Sequence, residues 1–353
     1  MSIYQKLVRK HLLDLKPYSS ARDEYSGKEG VFLDANENPF GSVSGKNLNR
    51  YPDPYQWEIK SKLAELKGCK AENIFLGNGS DEAIDLLIKS LCEPKEEQIL
   101  ILPPTYGMYQ VCADIQQVEV LKSNLTADFQ LDLEDIDAKV GEKTKMIWIC
   151  SPNNPTGNLI DSDSIKTLLE KYKEIVFVID EAYIDFTKQA SFIGLLDRYE
   201  NLVVIQTFSK AWGLAGLRVG MAFAHVDLIK ILNKIKYPYN LNLQSQRLIL
   251  EALDNVAQKE TYVDLILQER ENLKAGLLPL PIVEHIYPSD SNQLLVRFKA
   301  AKSIFQTLLE NKVIVRDRTN VVLCDDCLRI SIGTESENQR LLEALKEIAE
   351  RMK

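Results

Sequence analysis

Long apolar runs are missing from this 353-residue chain. Its longest uninterrupted apolar pieces, at residues 146–150 and 175–179, have the length of strands, far short of the eighteen or so residues of a membrane span. The opening MSIYQKLVRKHLLDLKP is charged along its length and has no apolar core of a secretory signal, so the expected location is the cytoplasm. Histidine is scarce, with only His11, His225 and His285, and the single CxxC motif, Cys324 to Cys327, has no second copy; together these argue against a structural zinc site. The six cysteines are scattered, as reduced thiols in a reducing compartment would be. Basic excess is absent too. With 43 Lys and Arg against 51 Asp and Glu, net charge -8, no nucleic-acid footprint is expected.

What is present is ordinary globular material, 45% hydrophobic and 27% charged, in a chain long enough for two unequal domains. The stretch 203–221, VVIQTFSKAWGLAGLRVGM, reads as a buried strand that ends at Ser209-Lys210 and leads through glycines to Arg218. A lysine delivered to such a place is costly unless its charge is paired or its amine is consumed as a Schiff base. Ser-Lys alone also suits an exposed turn, so the rest of the chain has to decide.

Four other apolar runs end in polar clusters. The run 73–77 turns through Gly77-Asn78-Gly79-Ser80-Asp81-Glu82 into a helix, 99–102 ends in PPTYGMY with Tyr106, 145–150 in SPNNPTG with Asn154, and 175–179 in DEAY with Asp180 and Tyr183. Alternating strands and helices predict a mostly parallel α/β sheet, whose ligands bind at the carboxyl ends of strands, so these clusters are expected to converge. Residues 31–33 read as a further strand breaking into the Asn36 loop, and Arg50-Tyr51-Pro52 as a rigid turn presenting a tyrosine. From residue 226 helices dominate, followed by strand-like runs at 282–286, 294–298, 313–315 and 328–332 in a smaller α+β domain. The expected division is 1–40 as an N-terminal segment packing with the small domain, 41–258 as the large domain and 259–353 as the small one.

Converging glycine turn, aromatic faces, carboxylate, lysine and arginine specify a ligand with a phosphate, a ring bearing a basic nitrogen, and a carbonyl open to an amine. Pyridoxal 5'-phosphate has all three. Lys210 would attack the carbonyl and Asp180 would pair with the ring nitrogen, while Asn154 and Tyr183 would bond the phenolic oxygen and Tyr106 would stack. Gly79, Ser80, Asp81, Ser209 and Arg218 would seat the phosphate at a helix amino end.

The motifs DANENPFG, RYPDP, GNGSDEAI, PPTYGMY, SPNNPTG, DEAYIDF, TFSKAWGLAGLRVG and LRISIGT, in order over residues 34–334, resemble those of fold-type I aminotransferases, and within them the histidinol-phosphate aminotransferase family. The resemblance implies a pyridoxal-phosphate enzyme that exchanges an amino group between L-histidinol phosphate and 2-oxoglutarate. It also implies a homodimer in which Tyr51 reaches the neighbour's cofactor phosphate, and a Lys210 that serves as the proton-moving base. Arg329 would clamp the α-carboxylate of glutamate, and Tyr18, Asn36, Arg316 and Arg329 would bind substrate. Arg316 and Asp317 equally suit an ordinary ion pair, and the cysteine-bearing stretch 320–326 departs from the family pattern. An aromatic aminotransferase, a threonine-phosphate decarboxylase and a non-catalytic ligand-binding module are the competing readings.

Overall fold

The computed structural model describes residues 2–18 and 29–352, which build two sheets. Seven strands form the larger: β1 (Ile74–Asn78), β2 (Gln98–Ile101), β3 (Glu119–Lys122), β4 (Thr144–Cys150), β5 (Val176–Asp180), β6 (Leu202–Thr207) and β7 (Val219–Ala224). Their order is β1-β7-β6-β5-β4-β2-β3, and β7 alone runs antiparallel to its two neighbours. β5 and β6 are buried at every position, as strands must be when helices cover both faces. Within them the faces alternate with period two. Phe177, Ile179, Leu202 and Val204 join the core shared with helices Trp57–Lys67 and Ser162–Lys171. Val176, Val178, Val203 and Ile205 join the core shared with helices Gly79–Leu91 and Met108–Ile115.

The smaller sheet is antiparallel, β8 (Val283–Ile286), β9 (Gln293–Phe298), β10 (Arg316–Asp317) and β11 (Cys327–Ser331), in the order β10-β11-β9-β8. Helices Ala301–Glu310 and Glu335–Arg351 bury their apolar stripes on it. The 22-residue helix Val256–Leu277 connects the two halves, placing Val263 against Tyr183 and Phe186 and Leu273 and Leu277 in the smaller core.

Three expectations from sequence need correction. Residues 313–315 are not a strand; the pairing begins at Arg316. Residues 31–33 form no strand, and Val31 and Leu33 are 88% and 86% exposed. The segment 1–40 does not accompany the small domain where it is described at its start. Helices Tyr4–Leu7 and Lys10–Asp14 lie on the large one, because Tyr4, Leu7, Val8 and Leu12 make an apolar face that enters its core. The Tyr4 hydroxyl donates to Glu200 O at 2.8 Å, and Lys234 Nζ donates to the carbonyls of Leu12 and Leu13 at 2.7 Å each. Residues 19–28 lie outside the described part. No helix among the described residues is long and apolar enough to cross a membrane.

Candidate active site

Between the carboxyl ends of the large-sheet strands and the edge of the small sheet lies a cleft with a cavity volume of about 750 Å³. It is lined by Gly79, Ser80, Asp81, Tyr106, Asn154, Asp180, Tyr183, Ser209, Lys210, Arg218, Arg316 and Arg329, so twelve of the fifteen residues singled out from sequence meet there. The remaining three do not line it. Tyr51 is half exposed and stacks on Tyr239 at 4.4 Å, and Asn36 sits exposed in the left-handed region at φ 53°. Tyr18 borders a separate shallow depression with Tyr55, Lys234 and Lys236.

Lys210 is held by the turn that ends β6. Thr207 Oγ1 accepts the Ser209 amide at 3.0 Å, and Gly213, left-handed at φ 66°, returns its amide to Lys210 O at 3.0 Å. Phe208 between them is fully buried and anchors the turn. The Lys210 ammonium lies 5.5 Å from the Tyr183 ring centroid. Its pKa is pushed down by burial first and by Arg329 next, with Asp180 pulling the other way, while the side chain keeps access to the cleft.

Asp180, the last residue of β5, is buried, and both its oxygens are engaged. Tyr109 donates its hydroxyl to Oδ2 at 2.5 Å, and the Ala182 amide donates to Oδ1 at 3.0 Å. Burial raises its pKa to about 6, less than burial alone would, because these two bonds favour the carboxylate.

The glycine turn after β1 is fixed from below by β7. Gly79 N donates to Arg218 O at 2.8 Å, and Arg218 Nη2 reaches Asp81 Oδ2 at 3.3 Å. Gly79 has φ +74°, and a Cβ there would stand 2.7 Å from Arg218 Nη2. At Gly220 a Cβ would fall 2.1 Å from Ser80 N, so β7 must be bare at that point for the two segments to touch. What results is the amino end of helix Gly79–Leu91 with a guanidinium beside it, a seat for an anion. Tyr106 bonds Asp81 Oδ1 at 3.1 Å and meets Tyr109 edge-on at 5.6 Å, leaving an aromatic face on the cleft.

The opposite wall belongs to the small sheet. Arg329 on β11 stands directly across from Arg316 on β10, and its Nη1 donates to Asn154 Oδ1 at 2.5 Å while its buried Nε has no partner among the described residues. Arg316 and Asp317 form no ion pair. Consecutive strand residues face opposite ways, and the Asp317 carboxylate accepts the Thr319 amide at 2.8 Å instead.

Two residues escaped the sequence reading. Tyr109 stands in the first turn of helix Met108–Ile115, within the PPTYGMY cluster, and its bond to Asp180 is what reveals it. Arg318 follows Arg316 by two, the strand period, and also lines the cleft. Cys324, in the stretch that departs from the family pattern, and Cys327, just after it, are free thiols buried beneath this wall.

These groups fit pyridoxal 5'-phosphate. The turn whose Cβ space is kept clear at Gly79 suits the phosphate, the buried carboxylate of Asp180 suits a protonated ring nitrogen, and the depressed amine of Lys210 suits the carbonyl.

The model of the family described as aminotransferase class I and II matches residues 27–345. The histidinol-phosphate aminotransferase of Cytophaga hutchinsonii is 54% identical over 340 residues, 96% of this chain and 97% of that one. That of Parabacteroides distasonis is 50% identical over 346 residues, 98% and 99% of the two chains. Among solved structures, the histidinol-phosphate aminotransferase from Clostridium acetobutylicum superposes with a TM-score of 0.80 at 27% identity, covering 86% of this chain and 92% of its own. The Sinorhizobium meliloti histidinol-phosphate aminotransferase, in complex with pyridoxal-5'-phosphate, gives 0.81 over 98% of both chains at 21% identity, a likeness of fold. Twelve converging site residues, a matching family model and near full-length identity of one half place this chain in the class I and II aminotransferases, and within them in the histidinol-phosphate aminotransferase family.

Proposed function

We propose that the protein exchanges an amino group between L-histidinol phosphate and 2-oxoglutarate, giving imidazole acetol phosphate and L-glutamate in histidine biosynthesis, with pyridoxal 5'-phosphate as cofactor. One observation carries this reading: a single cleft brings a lysine of lowered pKa and a buried carboxylate to face a wall of arginines that have no ion-pair partner among the described residues. When bound, the cofactor supplies the carbonyl that takes up the amino group and a ring that draws electrons from the reacting carbon.

The chain's residues do the rest. Lys210 Nζ, its proton affinity reduced by burial and by Arg329, would hold the carbonyl of the resident cofactor and, once freed, would serve as the base that moves the proton of the substrate's reacting carbon. Asp180, ionised at neutral pH with two hydrogen bonds supporting it, holds a proton on the ring nitrogen. Asn154 spends its Oδ1 on Arg329, which leaves Nδ2 to donate to the phenolic oxygen together with the Tyr183 hydroxyl. Tyr106 stacks on the ring, and the amides of Gly79 to Asp81, the Ser209 hydroxyl and the Arg218 fork bind the phosphate. Arg329 takes the α-carboxylate of glutamate in one half-reaction and, with Arg316, the phosphate of the other substrate.

Tyr51, Tyr18 and Asn36 serve the site through a homodimer. Val31, Leu33, Phe40 and Val43 beside them are 88%, 86%, 97% and 108% exposed, an apolar stretch suited to cover by a second copy, whose cofactor phosphate Tyr51 reaches. We place the enzyme in the cytoplasm, which suits its six free cysteines.

Steady-state assays with histidinol phosphate, phenylalanine and threonine phosphate test this assignment. Equal or better turnover of either of the last two overturns the substrate, and a protein that gains no visible absorbance with added pyridoxal phosphate overturns the cofactor.

A further inference from the structure

We infer that Arg318, more than Arg316, is the residue that selects a phosphate monoester at the arginine wall, an inference that rests on the function proposed above. Arg318 continues the β10 ladder, its amide donating to Cys327 O at 3.1 Å, and the strand period turns it to the same side as Arg316. The two differ in depth: Arg316 is exposed and Arg318 is half-buried. Arg318 Nη1 donates to Asp317 O at 3.0 Å, which fixes the guanidinium and leaves most of its donors for the cleft.

Its surroundings explain why it matters. Arg329 and Arg316 are the cations near it, Asp317 and the Cys324 thiol lie behind it, and it acts in turn on the Tyr183 phenol across the cleft. Burial and the two arginines push its pKa down to about 10, so it stays charged at neutral pH. Arg316 stands directly opposite Arg329 in the ladder, a like-charge pairing that costs stability, and Arg318 adds a third cation. None of the three has a salt-bridge carboxylate among the described residues. Such crowding is offset when an anion arrives with more than one charge. A carboxylate has two oxygens, which one guanidinium fork fills, and Arg329 suffices for it. A phosphate monoester brings a third oxygen and a second charge, for which Arg318 is the deeper and better-held donor.

The test uses the full-length, cofactor-loaded enzyme with L-histidinol phosphate and with L-histidinol, which lacks only the phosphate. Arg318→Gln is expected to lower kcat/KM for histidinol phosphate by about tenfold or more, the factor of one lost charge-assisted hydrogen bond, and to change that for histidinol by less than about threefold. Arg318→Lys recovers part of the loss, and Arg316→Gln costs less than Arg318→Gln. Equal losses for the two substrates, or a larger effect at Arg316, overturn the inference. Inorganic phosphate as a competitive inhibitor of the glutamate half-reaction separates the two proposals. Weaker inhibition in Arg318→Gln supports the role of Arg318 even if histidinol phosphate proves not to be the substrate, and unchanged inhibition overturns it.

Discussion

The two sides of the cleft are charged by opposite logics. On the large-sheet side the carboxylates and Arg218 have partners within the chain: Asp180 holds Tyr109 and the Ala182 amide, Arg218 holds Asp81, and Tyr106 bonds the same aspartate. On the small-sheet side three arginines gather, Arg318 bonded to a carbonyl and Arg329 to an amide oxygen, with no ion-pair partner for any of them among the described residues. The contrast separates what stays from what passes through. A balanced seat suits a resident group whose departure must not destabilise the fold, whereas an unbalanced wall suits substrates that supply the missing charge at each turnover.

The sharpest way to break this division is to remove the group that acts on both sides. Lys210→Ala should lower transamination by at least about 10³-fold while circular dichroism and melting temperature stay close to wild type, because a desolvated ammonium contributes little to folding. Substantial residual activity would overturn the role of the lysine. Next in size is Arg329→Gln on the unbalanced wall. It should cost roughly 10- to 100-fold in kcat/KM for both glutamate and histidinol phosphate, measured in the separate half-reactions, since the two share that fork. An effect on only one half-reaction would show that they do not.

The balanced side makes a prediction about stability. Asp180 has a folded-state pKa of about 6 against an ordinary value of 3.8, so folding favours its protonated form. The stability it contributes is full below pH ~4 and is lost as pH rises through about 6, a difference of about 3 kcal/mol. Cofactor-free Asp180→Asn should therefore be more stable than cofactor-free wild type at pH 7.5, with the gap closing below pH 4, although its transamination falls. Chemical denaturation at the two pH values measures this, and a variant less stable at pH 7.5 contradicts it. The smallest effect belongs to Tyr109→Phe. Loss of one hydrogen bond to the carboxylate should raise the Asp180 pKa by a further unit or so, read from the pH dependence of stability in the cofactor-free protein; an unmoved transition would leave Tyr109 a packing residue only.

The balanced side was also the legible one. Buried parallel strands must be apolar along their whole length, so Asp180 and Lys210 mark strand ends by contrast, and the glycine turn announces itself by composition. Tyr109 was hidden because the sequence places it in the loop after the run 99–102, whereas it opens a helix and lies in the core, stacked on Trp148 at 4.8 Å. The wall was harder to read. β10 is two residues long and lies at a sheet edge, so Arg316 was legible beside the apolar run 313–315 while Arg318, just beyond the strand, was not. The helices at Tyr4–Asp14 carry an apolar face that fits either domain, and only the surface it meets decides between them. Tyr18, Asn36 and Tyr51 have motifs that are clear in sequence, yet none of the three lines the cleft of its own chain.

The stitch between Gly79 and Arg218 has a consequence for the order of assembly. Among the described residues β1 has one sheet neighbour, β7, the last strand of the large sheet to be made, and Gly220 lets the two meet at the turn. During synthesis the glycine turn therefore waits, its amides unarranged, until nearly the whole large domain has emerged. Cofactor capture then becomes a report that this sheet has closed, and a ribosome-bound chain that stops short of residue 224 should be unable to hold it.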